Sequence, residues 1–224
     1  MKLILKERKE VVPGVETFVF SPDAPLEWRA GQYLHYVLPH EADERGGERW
    51  FTVSSAPYEG TPAITTRHAA ERGSSFKEKL FTLKPGDTIE ADGPEGDFVV
   101  EDTAAHYVFL AGGIGITPFH SILKEADHAG QKLNVTLLYA NRGDAPFKPE
   151  LDEWAGRNPN LHVHYLTGLL DKASIEKIVQ DTATPIFYVS GPEPMVKSVA
   201  EVLGTLGVPA QHIKLDDFPG YEQY

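Results

Sequence analysis

The sequence predicts two domains in tandem, an all-β unit followed by an α/β unit built on a parallel sheet. Three observations point there. The chain has 224 residues, enough for one large domain or two of roughly 100. Its patterning changes near residue 101, where short alternating apolar runs give way to continuous apolar runs that alternate with helical stretches. Residues 107–118, Tyr-Val-Phe-Leu-Ala-Gly-Gly-Ile-Gly-Ile-Thr-Pro, then read as strand, glycine turn and helix start.

Strands are expected at 15–20, 32–38, 50–53, 63–66 and 88–91, with a helix at 75–83. Turn residues separate them: Pro13-Gly14, Ser21-Pro22-Asp23, Gly46-Gly47, Glu59-Gly60 and Lys84-Pro85-Gly86-Asp87. Many short strands at regular spacing suggest an antiparallel barrel or sandwich. The join at 100–104 is short and polar, so the expected domains are 1–101 and 102–224. Beyond it, strands are expected at 107–110, 135–139, 162–166, 186–189 and 213–215, and helices at 119–129, 149–157, 174–180 and 194–206. That alternation predicts a parallel sheet with crossover helices.

Composition narrows the function. A hydrophobic share of 41% supports a real core, and the net charge of −12 argues against a generic nucleic-acid binder or a polybasic membrane-surface protein. Without cysteine the sequence has no disulfide, no thiolate catalyst, and no cysteine-held zinc or iron–sulfur cluster. Residues 1–10 are charged throughout, so no signal peptide is visible, and the longest uncharged run is broken by three glycines and a proline. A soluble cytoplasmic protein without membrane insertion is expected.

The glycine turn carries the first chemical signal. Gly113, Gly115 and Pro118 hold the spacing of G-x-G-x-x-G with proline last, and Gly112 and Thr117 complete the turn. Such a turn lets backbone N–H groups at a helix start face a pyrophosphate, although glycines there also serve close packing. The fourth strand of this half ends in Ser190-Gly191-Pro192-Glu193-Pro194-Met195, again before a helix. Ligands of open parallel sheets sit beyond the carboxyl ends of the strands, so two glycine turns on that edge suit one extended ligand. Arg142, with Lys148 as a second cation, follows the second strand, where an arginine accommodates a nucleotide 2′-phosphate; Asp144 stands beside it.

In the first half, Arg49-Trp50-Phe51-Thr52-Val53-Ser54-Ser55 puts Arg49 and Phe51 on one strand face and Trp50 and Thr52 on the other. A guanidinium beside a flat ring can hold a phosphate and a planar heterocycle. An ordinary strand with a surface arginine is the plain alternative. Gly73, Ser74 and Ser75 precede the helical run and can cap it or hold an anion. Ser74 to Lys77 also fits S-x-x-K, but its partner motifs are absent. No Walker A lysine follows the glycines, and His162 and His164 lack a third ligand, so no metal site is expected.

In this order, the motifs resemble the ferredoxin–NADP reductase family of flavoenzymes over nearly the whole chain. Residues 49–55 resemble its R-x-[YF]-[ST]-x-x-S flavin signature, 73–75 its second flavin-phosphate segment, and 93–98 the turn that closes its barrel. Residues 112–118 resemble its nicotinamide-nucleotide loop, 190–195 its C-G-P-x-x-M motif, and Asp216-Asp217-Phe218 its C-terminal segment. The resemblance implies an antiparallel β-barrel that binds FAD and a Rossmann-like sheet that binds NADPH or NADH, with a lean to NADPH. Arg49, Ser74 and Ser75 would hold FAD phosphate, Phe51 would pack on the flavin, and Thr52 would hydrogen-bond near its N5. Trp50, Val53, Ser54, Thr66, Arg67 and Gly73 complete the implied flavin set. Gly112, Gly113, Gly115, Thr117, Pro118, Arg142, Ser190, Gly191, Pro192 and Met195 form the nucleotide set. Phe218 would cover the flavin, with Tyr221 and Tyr224 as rivals, and Thr52, Ser190 and Phe218 would serve the hydride step. Two positions depart from the family: Ser190 replaces its cysteine, and Gly168-Leu169 stands where many relatives have Gly-Arg.

The implied activity is hydride transfer from NAD(P)H to FAD, then electron delivery to a separate acceptor such as a ferredoxin, a flavodoxin, an oxygenase component or a small molecule. The alternative is a non-catalytic nucleotide-binding electron-transfer or regulatory subunit of the same fold, which Ser190 favours. No feature demands an oligomer, and a monomer is compatible with everything read.

Overall fold

A computed structural model describes residues 1–68 and 73–218. It falls into two compact units, Met1–Val99 and Val100–Tyr224. Tyr221 and Tyr224 lie outside the described residues, as does Arg72.

The first unit holds strands β1 (Lys2–Val12), β2 (Val15–Pro22), β3 (Tyr33–Val37), β4 (Glu48–Thr52), β5 (Ala63–Arg67) and β6 (Thr88–Glu95), with helix α1 (Ser75–Leu80) between β5 and β6. The sheet order is β4-β3-β6-β1-β2-β5, and every neighbouring pair is antiparallel. The two ends of the sheet approach each other just past β4. There the Ser54 N–H donates to the Ala63 carbonyl of β5 at 2.9 Å, and the Ser54 hydroxyl bonds Thr65 Oγ1 at 2.8 Å. The result is a nearly closed barrel, as the sequence led one to expect.

Alternate residues fill its interior: Leu3, Leu5, Phe18, Phe20, Leu34, Tyr36, Ile64 and Ile89 share one core. Helix α1 adds Phe76 and Leu80 to that core. Its first turn is capped by Ser74, whose hydroxyl oxygen accepts from the Lys77 N–H at 3.3 Å. The helix ends at Leu80, three residues before the expected stop.

Strand β1 was not expected. Only Leu3 and Leu5 of its eleven residues are buried, and the rest is largely charged, so the period-2 signal is too short to read. Long-range contacts hold its second half. Arg8 forks onto Glu16 of β2 at 2.8 and 3.0 Å, donates to the Phe81 and Leu83 carbonyls, and lies over the Phe18 and Phe81 rings.

The second unit holds β7 (His106–Gly112), β8 (Asn134–Ala140), β9 (Leu161–Leu166), β10 (Ile186–Pro192) and β11 (Ile213–Phe218). Four helices connect them: α2 (Thr117–His128), α3 (Lys148–Arg157), α4 (Lys172–Ile178) and α5 (Glu193–Thr205). All strand pairs are parallel, in the order β11-β10-β7-β8-β9. Both faces are covered, which is why the strands are continuously apolar. Val108, Leu110, Leu138 and Val189 pack with Ile175 of α4 and Val199 and Leu203 of α5. On the opposite face, Phe109 stacks on Phe119 of α2 with centroids 4.6 Å apart.

Chain order reverses between β7 and β10. Strand β7 is followed by β8 and β9 on one side, while β10 and β11 return on the other. A sheet of this kind opens a crevice at that point, beyond the strand C-termini. No helix among the described residues is long and apolar enough to cross a membrane.

Candidate functional site

In the first unit the site grows from strand alternation. Arg49 and Phe51 lie two residues apart on β4 and share a face, and both meet Phe76 of α1. The Arg49 guanidinium carbon is 5.8 Å from that ring's centroid, and the Phe51 ring is 5.8 Å from it. Phe51 also lies edge-on to Tyr36, 5.9 Å away. The expected face sharing of Arg49 with Phe51 is therefore present.

Trp50 points the other way. It is 53% exposed and stacks on His35, so the structure does not bring it to Arg49 and Phe51. Thr52 is buried where β4 ends, paired with Tyr33. Val53 and Ser54 are buried too; the Val53 N–H donates to Gln32 just before β3, and the Ser54 N–H closes the barrel by donating to Ala63. The Ser55 hydroxyl donates to the Thr61 carbonyl. These residues shape the end of the strand. Thr66 is fully buried on β5, followed by half-buried Arg67, and its hydroxyl has no hydrogen-bond partner among the described residues.

Asp43, which no motif in the sequence marks, links Arg49 to the start of α1. Its carboxylate accepts the Ser75 N–H at 2.8 Å and the Arg45 N–H at 2.9 Å, and lies 3.6 Å from Arg49 Nη2. The Asp43 N–H donates to the Ser75 hydroxyl at 2.9 Å, and His40 Nε2 lies 2.8 Å from the same oxygen. The Ser75 N–H bond holds the Asp43 carboxyl below the usual carboxylate range, with further contributions from the Arg45 N–H and from Arg49. Arg49 is lowered chiefly by burial, which Asp43 partly offsets. Arg49 Nη1 donates to the carbonyls of Arg45, Gly46 and Glu48, whereas Nη2 is buried without a hydrogen bond among the described residues. Gly73 and Ser74 lead directly into this cluster.

In the second unit, two turns meet at the β7/β10 crevice. After β7 comes a 3-10 turn, Gly113–Ile116, and then α2 with Pro118 in its first turn. The Thr117 hydroxyl donates to the Ile114 carbonyl at 3.1 Å. A Cβ on Gly115 would lie 2.1 Å from the Ser190 carbonyl oxygen, and one on Gly112 would lie 2.2 Å from Met195 Sδ. Gly191, with φ +158, would meet Met195 Cε at 2.7 Å. These three glycines let the β7 and β10 turns touch, with Met195 and Pro192 packed against Gly112. Gly113 differs: its φ is +55, and the nearest atom to its Cβ position is Asn141 Oδ1 at 3.9 Å. It is the glycine of the four that leaves room for a ligand.

Ser190 is fully buried, and its hydroxyl donates to Asp216 Oδ2 across the β10–β11 pair at 2.9 Å. Burial raises the Asp216 carboxyl to about 6; Asp217 adds to the rise and the Ser190 hydroxyl opposes it. Phe218 pairs through its backbone with Pro192, and its side chain is outside the described residues. Arg142 is exposed in the loop after β8, which Asn141 restrains through bonds to the Gly143 and Asp144 carbonyls. Lys148 is committed elsewhere, to Asp152 at 2.6 Å and to the Tyr165 ring. Leu169 is 73% exposed in the loop after β9.

The residues fit the two nucleotides that the sequence suggested. A buried guanidinium nitrogen and a buried hydroxyl that make no hydrogen bond among the described residues suit a ligand rich in phosphate and hydroxyl oxygens. A positive-φ glycine with no atom nearer than 3.9 Å to its Cβ position, at the switch point of a parallel sheet, suits a dinucleotide pyrophosphate.

Comparison with known proteins agrees. The family "Oxidoreductase NAD-binding domain" matches residues 109–201. The chain is 34% identical over 231 residues to the ferredoxin reductase component of 3-ketosteroid-9-alpha-monooxygenase from Mycobacterium tuberculosis. That match takes in 96% of this chain and 63% of the relative, so the chain spans less than two thirds of the relative's length. Among solved structures, an Amycolatopsis cytochrome P450 reductase aligns over 97% of this chain and 70% of its own, with TM-score 0.84 and 22% identity. The ferredoxin-NADP+ reductase of Plasmodium falciparum aligns over 97% and 95%, with TM-score 0.80 and 16% identity, a likeness of fold. The chain thus matches an oxidoreductase NAD-binding domain over residues 109–201 and is similar over nearly its whole length to a ferredoxin reductase component, and its two-unit fold is the one these reductase structures have.

Proposed function

We propose that this protein takes a hydride from NAD(P)H onto FAD and passes the electrons to a separate acceptor, a ferredoxin or an oxygenase component. One observation carries the reading. The same chain joins a barrel bearing the Arg49–Phe51 face to a parallel sheet whose two glycine turns meet at its switch point. A dehydrogenase without flavin would leave the first of these without a use.

In this reading the barrel, residues 1–101, is the flavin domain, and residues 102–224 are the nicotinamide-nucleotide domain. The flavin supplies an acceptor for two electrons and a donor of one or two. Arg49 and the Ser75 N–H neutralise and orient the flavin phosphates, with Ser74 fixing the turn that presents them. Phe51 gives a flat apolar wall, and the Thr52 hydroxyl bonds the flavin near N5. On the other unit, the Gly113 turn receives the pyrophosphate and Ser190 positions the nicotinamide. No side chain has to act as nucleophile; the chain sets distance and orientation and excludes water. Arg142 is the proposed contact for a 2′-phosphate, giving NADPH a small advantage over NADH that Asp144 beside it limits.

The test is to load the purified full chain with FAD, remove free flavin, and measure turnover with NADH and with NADPH against a panel of acceptors. Stoichiometric yellow protein that reduces a ferredoxin or an oxygenase component with NAD(P)H is the expected result. A chain that retains no flavin, or that retains it and reduces no acceptor, would refute the reading.

A further inference from the structure

We propose that Asp43 is an internal counter-anion of the flavin phosphate site, a specificity-determining residue that sets how tightly a phosphate-bearing flavin binds. The inference rests on the flavin reading above and goes further, because Asp43 belongs to none of the motifs that support that reading.

Two groups are on offer to a phosphate in the barrel, the Arg49 guanidinium and the Ser75 N–H. One carboxylate lies against both, accepting from Ser75 at 2.8 Å and standing 3.6 Å from Arg49 Nη2. A phosphate oxygen using those donors would displace that carboxylate or stand against its like charge. The match with Arg49 is itself incomplete, since Nη2 is buried, lies 3.6 Å from the carboxylate and makes no hydrogen bond among the described residues. The carboxylate thus balances the charge of the guanidinium without filling its hydrogen-bonding capacity, which leaves a phosphate something to gain. Displacement moves the Asp43 carboxylate off the Ser75 N–H and away from Arg49 Nη2, while the Arg49 Nη1 bonds to the Arg45 and Gly46 carbonyls hold the guanidinium in place.

The cost of displacement falls on flavins that carry phosphate and not on the ring system. Asp43→Asn and Asp43→Ala in the full chain, checked for fold by circular dichroism, are titrated with FAD and with riboflavin while flavin fluorescence is followed. Both variants should bind FAD more tightly than the parent by about tenfold or more, with riboflavin affinity unchanged. Riboflavin binding throughout, with FAD affinity unchanged or weakened in the variants, would overturn the role of Asp43 and leave the flavin site standing. Failure of parent and variants to bind either flavin would reject the flavin site, and this proposal with it.

Discussion

At the scale of single residues, the site pairs charges and hydroxyls that lie far apart in sequence. Ser190 and Asp216 are 26 positions apart and share one hydrogen bond. Asp216 sets a pH dependence whose sign follows from its shift. Its carboxyl is raised from 3.8 to about 6 in the folded protein, so the folded state holds the proton more tightly than the unfolded chain. The resulting stabilisation is complete below about pH 4 and is lost as pH rises through about 6, a change of at most ~3 kcal/mol. Denaturant unfolding between pH 4 and 7.5 should show it in the parent and lose it in Asp216→Asn; equal slopes in the two proteins would remove the assignment. Arg49→Ala should weaken FAD binding about tenfold to a hundredfold, measured by titration, since a charge-assisted pair to phosphate is lost. Arg142→Ala should raise KM for NADPH and leave KM for NADH unchanged; equal effects on both would deny the 2′-phosphate contact. Arg49 and Phe51 were legible because strand alternation is local. Asp43 was not, because its main partner Ser75 lies 32 residues away and nothing in the loop sequence announces the contact.

At the scale of elements, the glycine turns were legible as turns, while their division of labour was not. The sequence leaves each of the glycines open to a phosphate or to close packing. The structure gives Gly112, Gly115 and Gly191 to the contact between two turns and leaves Gly113 facing space. Gly115→Ala should destabilise the second unit by about 3 kcal/mol or more, because the new Cβ runs into the Ser190–Gly191 backbone, which no side-chain rotation can relieve. Gly143→Ala, with nothing within 4 Å of its Cβ position, is the matched control and should stay within about 0.5 kcal/mol. Comparable losses in the two variants would refute the packing role. Strand β1 escaped the sequence reading for the opposite reason. Its burial signal is two residues long, and its charged half is held by Arg8 through contacts with β2 and the residues after α1.

At the scale of the whole chain, the order of a barrel and a parallel sheet was legible because the two halves differ in period. Alternating strands need one buried face, whereas strands covered on both faces run continuously apolar. The assignment of one nucleotide to each unit has a calorimetric consequence. FAD at about a hundred times its Kd should stabilise residues 1–101 by about 2.7 kcal/mol, and a nicotinamide nucleotide should act likewise on residues 102–224. Independent melting shifts would support the division; both ligands acting on one transition alone would count against it. Electron flow from nicotinamide to flavin is tested by anaerobic mixing of the FAD-loaded full chain with NADH or NADPH while the flavin absorbance is followed. Rapid bleaching of the yellow band, reversed by air or an added acceptor, is expected. A flavin that stays oxidised in saturating amounts of both nucleotides would contradict it.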